Sequence, residues 1–408
     1  MKIFAKTVED KVLEQLQTVM DAKLFDNDKI KIMPDTHAGK GCVIGFTAPL
    51  QERIVPNLVG VDIGCGIVTC NIGKRKIDYK ALDCFIKQNI PSGVDVRKDL
   101  SVWNDFSYML DFSIRLADLR ADFGGVENRE RIIDRTKRSI GTLGSGNHYI
   151  EIDEDAEGTK YLIVHSGSRN LGKEVCDFYQ EKARKKTEEL FTRVKTGIIE
   201  SLKAEGRTSE IERELSKITK PNKDLEWLEG QDAEDYLHDM KICQRFAEWN
   251  RFIILVLIGK YLKVKPLHQF KYYVDIEGTF FDTVHNYINF DDNILRKGAI
   301  AAPVNTMVTI GLNMRDGNLL CKGKGNPDWN CSAPHGAGRL MSRTQAKKEV
   351  SMEDFKETMK GIYTSCVSKE TLDESPMVYK DWHEIVEIIE DTVEVVKHIK
   401  PVYNFKGV

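Results

Sequence analysis

"GNHYIEIDEDAEGTKYLIVHSGSRNLGKE" occupies residues 146–174. Two short apolar runs, "YIEI" and "YLIVH", are each bounded by glycine and polar residues, which is the pattern of strands joined by turns. The second run leads into a segment of helical period. The same strand design recurs upstream. "KIKIMPDTHAGKGCVIGFTAPL" (29–50) reads as strand, glycine loop, strand, and "IVPNLVGVDIGCGIVTCNIG" (54–73) repeats it. From about residue 174 to 262 the character changes. "EVCDFYQEKARKKTEELFTRVKTGIIESLKAEG" and "DAEDYLHDMKICQRFAEWNRFIILVLIGKYL" have helical spacing and many helix formers, with the charged lobe "SEIERELSKITKPNKDLEWLEG" between them. Strand character returns through "KYYVDIEGTFFDTVHNYINF" (271–290) and "TMVTIGLNMRDGNLL" (306–320), and helices are expected at 8–21, 352–366 and 382–398. The predicted class is α+β. A glycine-rich β core carries the active-site loops, with a helical insertion at about 174–262 and C-terminal helices, all in one catalytic domain over 1–408.

Bulk properties narrow the function. The chain has 408 residues, 41% hydrophobic and 30% charged, with a net charge of −3. That charge excludes a global cationic field, so any nucleic acid must be held by local basic surface such as "RKGA" or "RTQAKK". The most apolar run, "RFIILVLIGKYL" (251–262), is interrupted by lysine and reads as a core helix, so no membrane span is expected. No secretion signal is read at the start. The nine irregularly spaced cysteines fit reduced thiols, and the cytoplasm is the expected location.

A histidine, aspartate or cysteine follows an apolar run repeatedly: Asp35 and His37, Asp62 and Cys65, Asn147 and His148, His165, His285 and His335. Any one of these histidines is as readily a hydrogen-bonded structural residue as a ligand. Their recurrence in one loop context favours a metal site assembled from loops on rigid strands. A thiolate with imidazoles suits zinc, while carboxylate with imidazole suits manganese. Five ligands exceed one tetrahedral ion. Two ions are therefore expected, sharing Cys65, and such pairs suit phosphoryl chemistry. "GSRNLGKEV" has a phosphate-loop spacing through Gly167, Gly172 and Lys173, but Glu174 stands where a hydroxyl would bind magnesium, so that reading is set aside.

"NCSAPHGAGRLMSR" (330–343) holds His335 in a glycine loop with Arg339 and Arg343 behind it. The ring can serve as ligand, general base or nucleophile. A neutral imidazole can attack phosphorus without first losing a proton, and the arginines can stabilise the developing charge.

At these residues a resemblance emerges. "MPDTHAGKG", "GVDIGCG", "GTLGSGNHYIE", "VHSGSR", "VHNY", "RKGA", "HGAGRLMSRTQAK", "YKD" and the terminal "KG" stand in the order found in the RtcB family of RNA-splicing ligases, from about Asp35 to Lys406. The resemblance implies an RNA ligase dependent on GTP and two manganese ions. It would join RNA 3′-phosphate or 2′,3′-cyclic phosphate ends to 5′-hydroxyl ends. It places the metal on Asp62, Cys65, His148, His165 and His285, with the sulfur bridging both ions, and makes His335 the residue that GTP guanylylates. The implied nucleotide pocket comprises Asn147, His148, Tyr149, Ile150 and Glu151, then His285 and Asn286. Gly311, Leu312, Asn313, Met314, Asn318, the loop His335, Gly336, Ala337 and Gly338, and Lys406 complete it. Asp35, Arg169, Arg339 and Arg343 are candidate RNA or phosphate contacts. One departure stands out: "GLNMRD" (311–316) replaces a Pro-Gly-Ser-Met-Gly loop, and Asn318 stands where serine is usual.

Two other classes compete. A binuclear phosphoesterase would use the same cluster without nucleotide, and a binding module that has lost catalysis would hold RNA without metal.

Overall fold

A computed structural model describes residues 1–218, 222, 224–265 and 280–407. The two runs that open the sequence reading are strands, Tyr149–Glu154 and Lys160–Ser166, paired antiparallel with Tyr149 opposite His165. They lie at the centre of the largest sheet. Its order is Met307–Asn313, Gly317–Gly323, Val393–Lys406, Tyr149–Glu154, Lys160–Ser166, Gly66–Gly73 and Phe280–Val284, with the short strand Tyr363–Thr364 pairing beside Val393–Lys406. A second sheet joins Lys2–Ile3, Lys31–His37, Ile44–Pro49, Ile294–Lys297 and Asn286–Asn289, and a two-stranded ribbon joins Ala299–Ala301 to Ser332–Pro334. The mixed α+β class is as expected.

Alternation along the strands decides which face does what. Ile150, Ile152, Leu162, Val164 and Val68 join the main core with the helices, whereas Ile67, Tyr149, Tyr161 and Ile163 face the other side with Leu320 and Ile399. On the helical side, Gln231–Tyr261 buries Phe252, Ile253, Ile254, Leu255 and Val256 in succession. A helix apolar on all sides has to be enclosed. Burying each of these side chains contributes roughly 1.5–3 kcal/mol, which makes this helix a main support of the sheet. No helix of the described residues is long and apolar enough to cross a membrane.

Several expectations are corrected. The first helix of the insertion begins at Arg169, not about 174, and runs to Ala204. The predicted 352–366 helix stops at Thr358. That over 382–398 stops at Ile389, and the chain ends in the strand Val393–Lys406 rather than in helix. The β-branched run from Thr392 to Val396 and Pro401 favour an extended chain there. The strand expected over 271–290 is seen as Phe280–Val284 and Asn286–Asn289, and its part at 271–279 lies outside the described residues. Asp35 and His37 lie within the strand Lys31–His37 rather than in a loop.

Candidate active site

Cys65 precedes one strand, His148 precedes another, His165 is near the end of a third, and His285 follows a fourth. Neighbours run antiparallel, so starts lie beside ends. Ile67 and Tyr149 both pair with His165, and Gly66 pairs with both Ser166 and Val284. Cys65 and His285, 220 positions apart in sequence, therefore meet at one end of the sheet with His148 and His165. His285 sits where the chain passes from the large sheet to the second, and its N–H donates to Cys65 O at 2.9 Å. Gly64, with φ +73°, makes the turn that brings Asp62 and Cys65 together.

Two ligand-type triads result, Asp62–Cys65–His148 and Cys65–His165–His285, sharing the sulfur. Cys65 Sγ is 3.4 Å from His148 Nε2 and 3.3 Å from His165 Nε2, while His148 Nε2 is 2.9 Å from Asp62 Oδ2. His165 Nε2 is 3.3 Å from His285 Nε2. The fit to cations follows from counting protons. His148 Nδ1 donates to Leu143 O at 2.9 Å and His165 Nδ1 to Asn147 O at 3.1 Å, so both Nε2 atoms present lone pairs toward the thiol and carboxylate. One thiol proton cannot satisfy that many acceptors, whereas positive ions can. Burial, with the neighbouring histidines, holds His165 and His285 well below their ordinary range, in the neutral form that ligates. Burial and the Asp62 charge push the Cys65 thiol up, a preference that a divalent cation reverses.

The helical insertion braces this end of the sheet, which the sequence reading missed. Buried Arg251 donates through Nη1 to Gly64 O at 2.7 Å and Ser166 O at 2.8 Å, and pairs with Asp282. Asn250 Nδ2 donates to Thr142 O, Ser166 Oγ and Gly167 O. The signal was available: an arginine heading the most apolar helix run has to find buried partners. Arg169, offered as a phosphate contact, is turned to the loops instead. Its Nη2 donates to Gly93 O at 3.0 Å and its Nη1 is 3.4 Å from His148 Nδ1, with φ +54° at a residue that has a Cβ.

His335 stands beside the triads, its ring centroid 4.9 Å from that of His285. Its Nδ1 is 2.7 Å from Asp35 Oδ2, close without the alignment of a hydrogen bond, while that oxygen accepts the backbone N–H of His335 and Gly336 at 3.2 Å each. Nε2 is the nitrogen left for chemistry. Gly338 is required here: its φ is +78°, and a Cβ would lie 2.3 Å from Asp35 O. His37 is in neither triad. Its Nδ1 contacts Asp35 O, and burial lowers it to about 4.

A cavity of about 690 Å³ opens on His335. Its lining brings together Asn147, Tyr149, Glu151, His165, His285, Asn286, Gly311, Leu312, Asn313, Met314, His335, Gly336, Ala337, Gly338, Arg339, Arg343 and Lys406 from the expected set. His148 stands behind, in the metal-type cluster. Ile150 is corrected: strand alternation turns it into the main core. Asn318 is buried behind Glu151 rather than lining the cavity, and the Arg315 beside it pairs with Asp316. Glu374, not foreseen, gathers the basic wall. It accepts from Arg339 at 3.3 Å, Arg343 at 3.2 Å, Lys406 at 3.0 Å and Tyr379 Oη at 2.8 Å. Burial opposes its charge, yet Lys406, Arg343 and Arg339 hold its carboxyl down at about 2. The near phosphate loop is no such thing. Gly172 and Lys173 lie inside a helix, with Lys173 paired to Asp177 on the surface.

The family profile described as tRNA-splicing ligase RtcB matches residues 15–407. The chain belongs to the RtcB family. It is 29% identical to the RNA-splicing ligase RtcB1 of one Escherichia coli strain, over all of this chain and 97% of that protein. It is 28% identical to the RNA-splicing ligase RtcB of Escherichia coli K12 over the same shares. The tRNA-splicing ligase RtcB of Aeropyrum pernix is 27% identical over 95% of this chain and 89% of its own length. The RtcB match thus takes in the large sheet, the second sheet apart from Lys2–Ile3, the helical insertion and the loop of His335.

Proposed function

We propose that this chain is a GTP- and manganese-dependent RNA ligase joining 3′-phosphate or 2′,3′-cyclic phosphate ends to 5′-hydroxyl ends, acting in splicing or repair. The observation that carries the reading is one juxtaposition: His335, with Nε2 free, borders a nucleotide-sized cavity within 4.9 Å, ring to ring, of a cluster fit for two cations. Asp62, Cys65, His148, His165 and His285 would hold two manganese ions, whose charge polarises phosphate oxygens when bound.

His335 Nε2 attacks the α-phosphorus of GTP. The N–P bond forms as the bond to pyrophosphate breaks and pyrophosphate leaves. Asp35 at Nδ1 orients the ring and stabilises its positive charge. A cyclic phosphate end is first opened by water to a 3′-phosphate. That phosphate then takes GMP from His335, and the 5′-hydroxyl displaces GMP to seal the strand. Lys406, Arg339 and Arg343 lie on the cavity wall where phosphate charge needs partners. The nine free cysteines are in keeping with the cytoplasm.

Incubation with GTP and manganese, followed by intact-mass measurement, is expected to show one added guanylate that is absent from His335→Ala. An adduct that persists in His335→Ala, or phosphate release from cyclic ends with no joining even with GTP, rejects this reading. The second outcome favours a binuclear phosphoesterase.

A further inference from the structure

Around Glu151 lies a buried polar group that the reaction above does not use: Tyr149 Oη, Asp153, Asn318 and Asn404. Glu151 itself borders the cavity. Its Oε2 accepts from Asn318 Nδ2 at 3.0 Å and its Oε1 from Asn404 Nδ2 at 2.5 Å. Asn318 cannot be turned over without loss. Its Oδ1 accepts from Tyr149 Oη at 2.8 Å, and its nitrogen donates to Asp153 Oδ2 at 2.8 Å as well as to Glu151. Reversing the amide would set its oxygen against two carboxyl groups.

The two acids share one amide nitrogen, and their surroundings divide the charge between them. Burial pushes the Glu151 carboxyl up to about 7, while Lys406 and the two amide donors pull the other way. Asp153 has one amide donor, Asn318, and burial together with the Glu151 charge pushes it well up, so the two amides that face Glu151 favour it as the carboxylate of the pair.

We infer that Asn318 and Asn404 are positioning residues for base selection, holding Glu151 as a pure acceptor so that the cavity takes guanine and rejects adenine. The inference rests on the nucleotide reading above. An ionised carboxylate has only acceptors, and each oxygen that accepts one amide keeps a further lone pair. Guanine presents N1–H and N2–H side by side and satisfies both oxygens. Adenine presents the N6–H donor beside the N1 lone pair, which would face a second lone pair. A site built to accept two donors strongly rejects a ligand that lacks one of them. A protonated Glu151, donor beside acceptor, would instead match adenine. The asparagines therefore set specificity without contacting the base.

The test is equilibrium binding of GTP and ATP to the full chain with manganese, in wild type, Asn318→Asp and Asn404→Leu. Asn318→Asp keeps the shape and replaces the donor with an acceptor. Asn404→Leu removes the other donor at similar volume, and carries the test alone should the first variant not fold. Wild type is expected to favour GTP by about 100-fold or more, and each variant to reduce the GTP/ATP ratio by about tenfold or more, chiefly through weaker GTP. A merely structural role would weaken both nucleotides alike, so an unchanged ratio overturns the inference. A wild type that binds GTP with an unchanged ratio in the variants rejects this inference alone, whereas one that binds neither nucleotide rejects the nucleotide reading and this inference with it.

Discussion

Arg251 and Asp282 meet in a two-pronged ion pair, Nε to Oδ1 at 2.7 Å and Nη2 to Oδ2 at 2.5 Å, beneath the metal-type cluster. The same guanidinium caps the carbonyls of Gly64 and Ser166, one residue from Cys65 and one from His165. A single side chain from the helical insertion thus ties together the segments that carry Cys65 and His165.

Replacing it with Met leaves the partly buried Asp282 without its countercharge. Loss of one partner of a buried pair costs about 3–5 kcal/mol, and loss of an outer support costs about 10–100-fold in metal affinity. Urea unfolding and manganese titration of Arg251→Met read the two effects. Unchanged manganese affinity would show that the brace serves the fold alone.

Glu374 makes acid stability traceable to one group. Its folded carboxyl is depressed to about 2 from an ordinary 4.5, so it stabilises the fold above about pH 4.5, and that contribution is lost as the pH falls toward 2. The contribution at neutral pH is on the order of 3 kcal/mol. Glu374→Gln is expected to be less stable at pH 7, with its unfolding free energy converging on wild type as the solution is acidified to pH 2. Parallel curves across that interval would refute the assignment.

Gly338→Ala tests the loop of His335. The added methyl would lie 2.3 Å from Asp35 O at φ +78°, so either the Asp35 strand or the His335 loop has to move. The expected result is a loss of about tenfold or more in the rate of adduct formation, since small misplacements of a nucleophile are costly. Thermal melting separates this from general unfolding. Full activity with the variant folded would mean that the Asp35–His335 spacing is not critical.

Lys173→Ala is expected to leave GTP affinity within about twofold of wild type and stability within about 0.5 kcal/mol, because an exposed helix pair contributes little. Its ammonium lies 2.6 Å from Asp177 on the exposed face of a helix. A tenfold loss of GTP binding would revive the phosphate loop that the helix argues against.

Much of the site was legible because its residue types are scarce and set among glycines. Cys65, His148, His165, His285 and His335 could be picked out without coordinates. Ile150 was misassigned although the period-2 rule alone turns it away from Tyr149 and Glu151. The C-terminal strand was mistaken for helix because "EIVEIIEDTVEVV" satisfies helical period up to Ile389 and strand preference beyond it. Sheet pairing with Tyr149–Glu154 and Gly317–Gly323 settled that choice. Glu374 and Asn404 carry no local signature. Their roles come from partners 32 and 253 residues away.

By itself, the order of residues determined the chemistry on offer: which atoms can ligate, attack or accept, and which segments must turn or be enclosed. Tertiary structure alone decided the meeting of those atoms. Antiparallel pairing places the start of one strand beside the end of the next, and no local rule specifies which strands become neighbours. It decided also which charges stand free and which are held, because a buried arginine or carboxylate takes its character from groups that the fold, not the neighbouring sequence, sets against it.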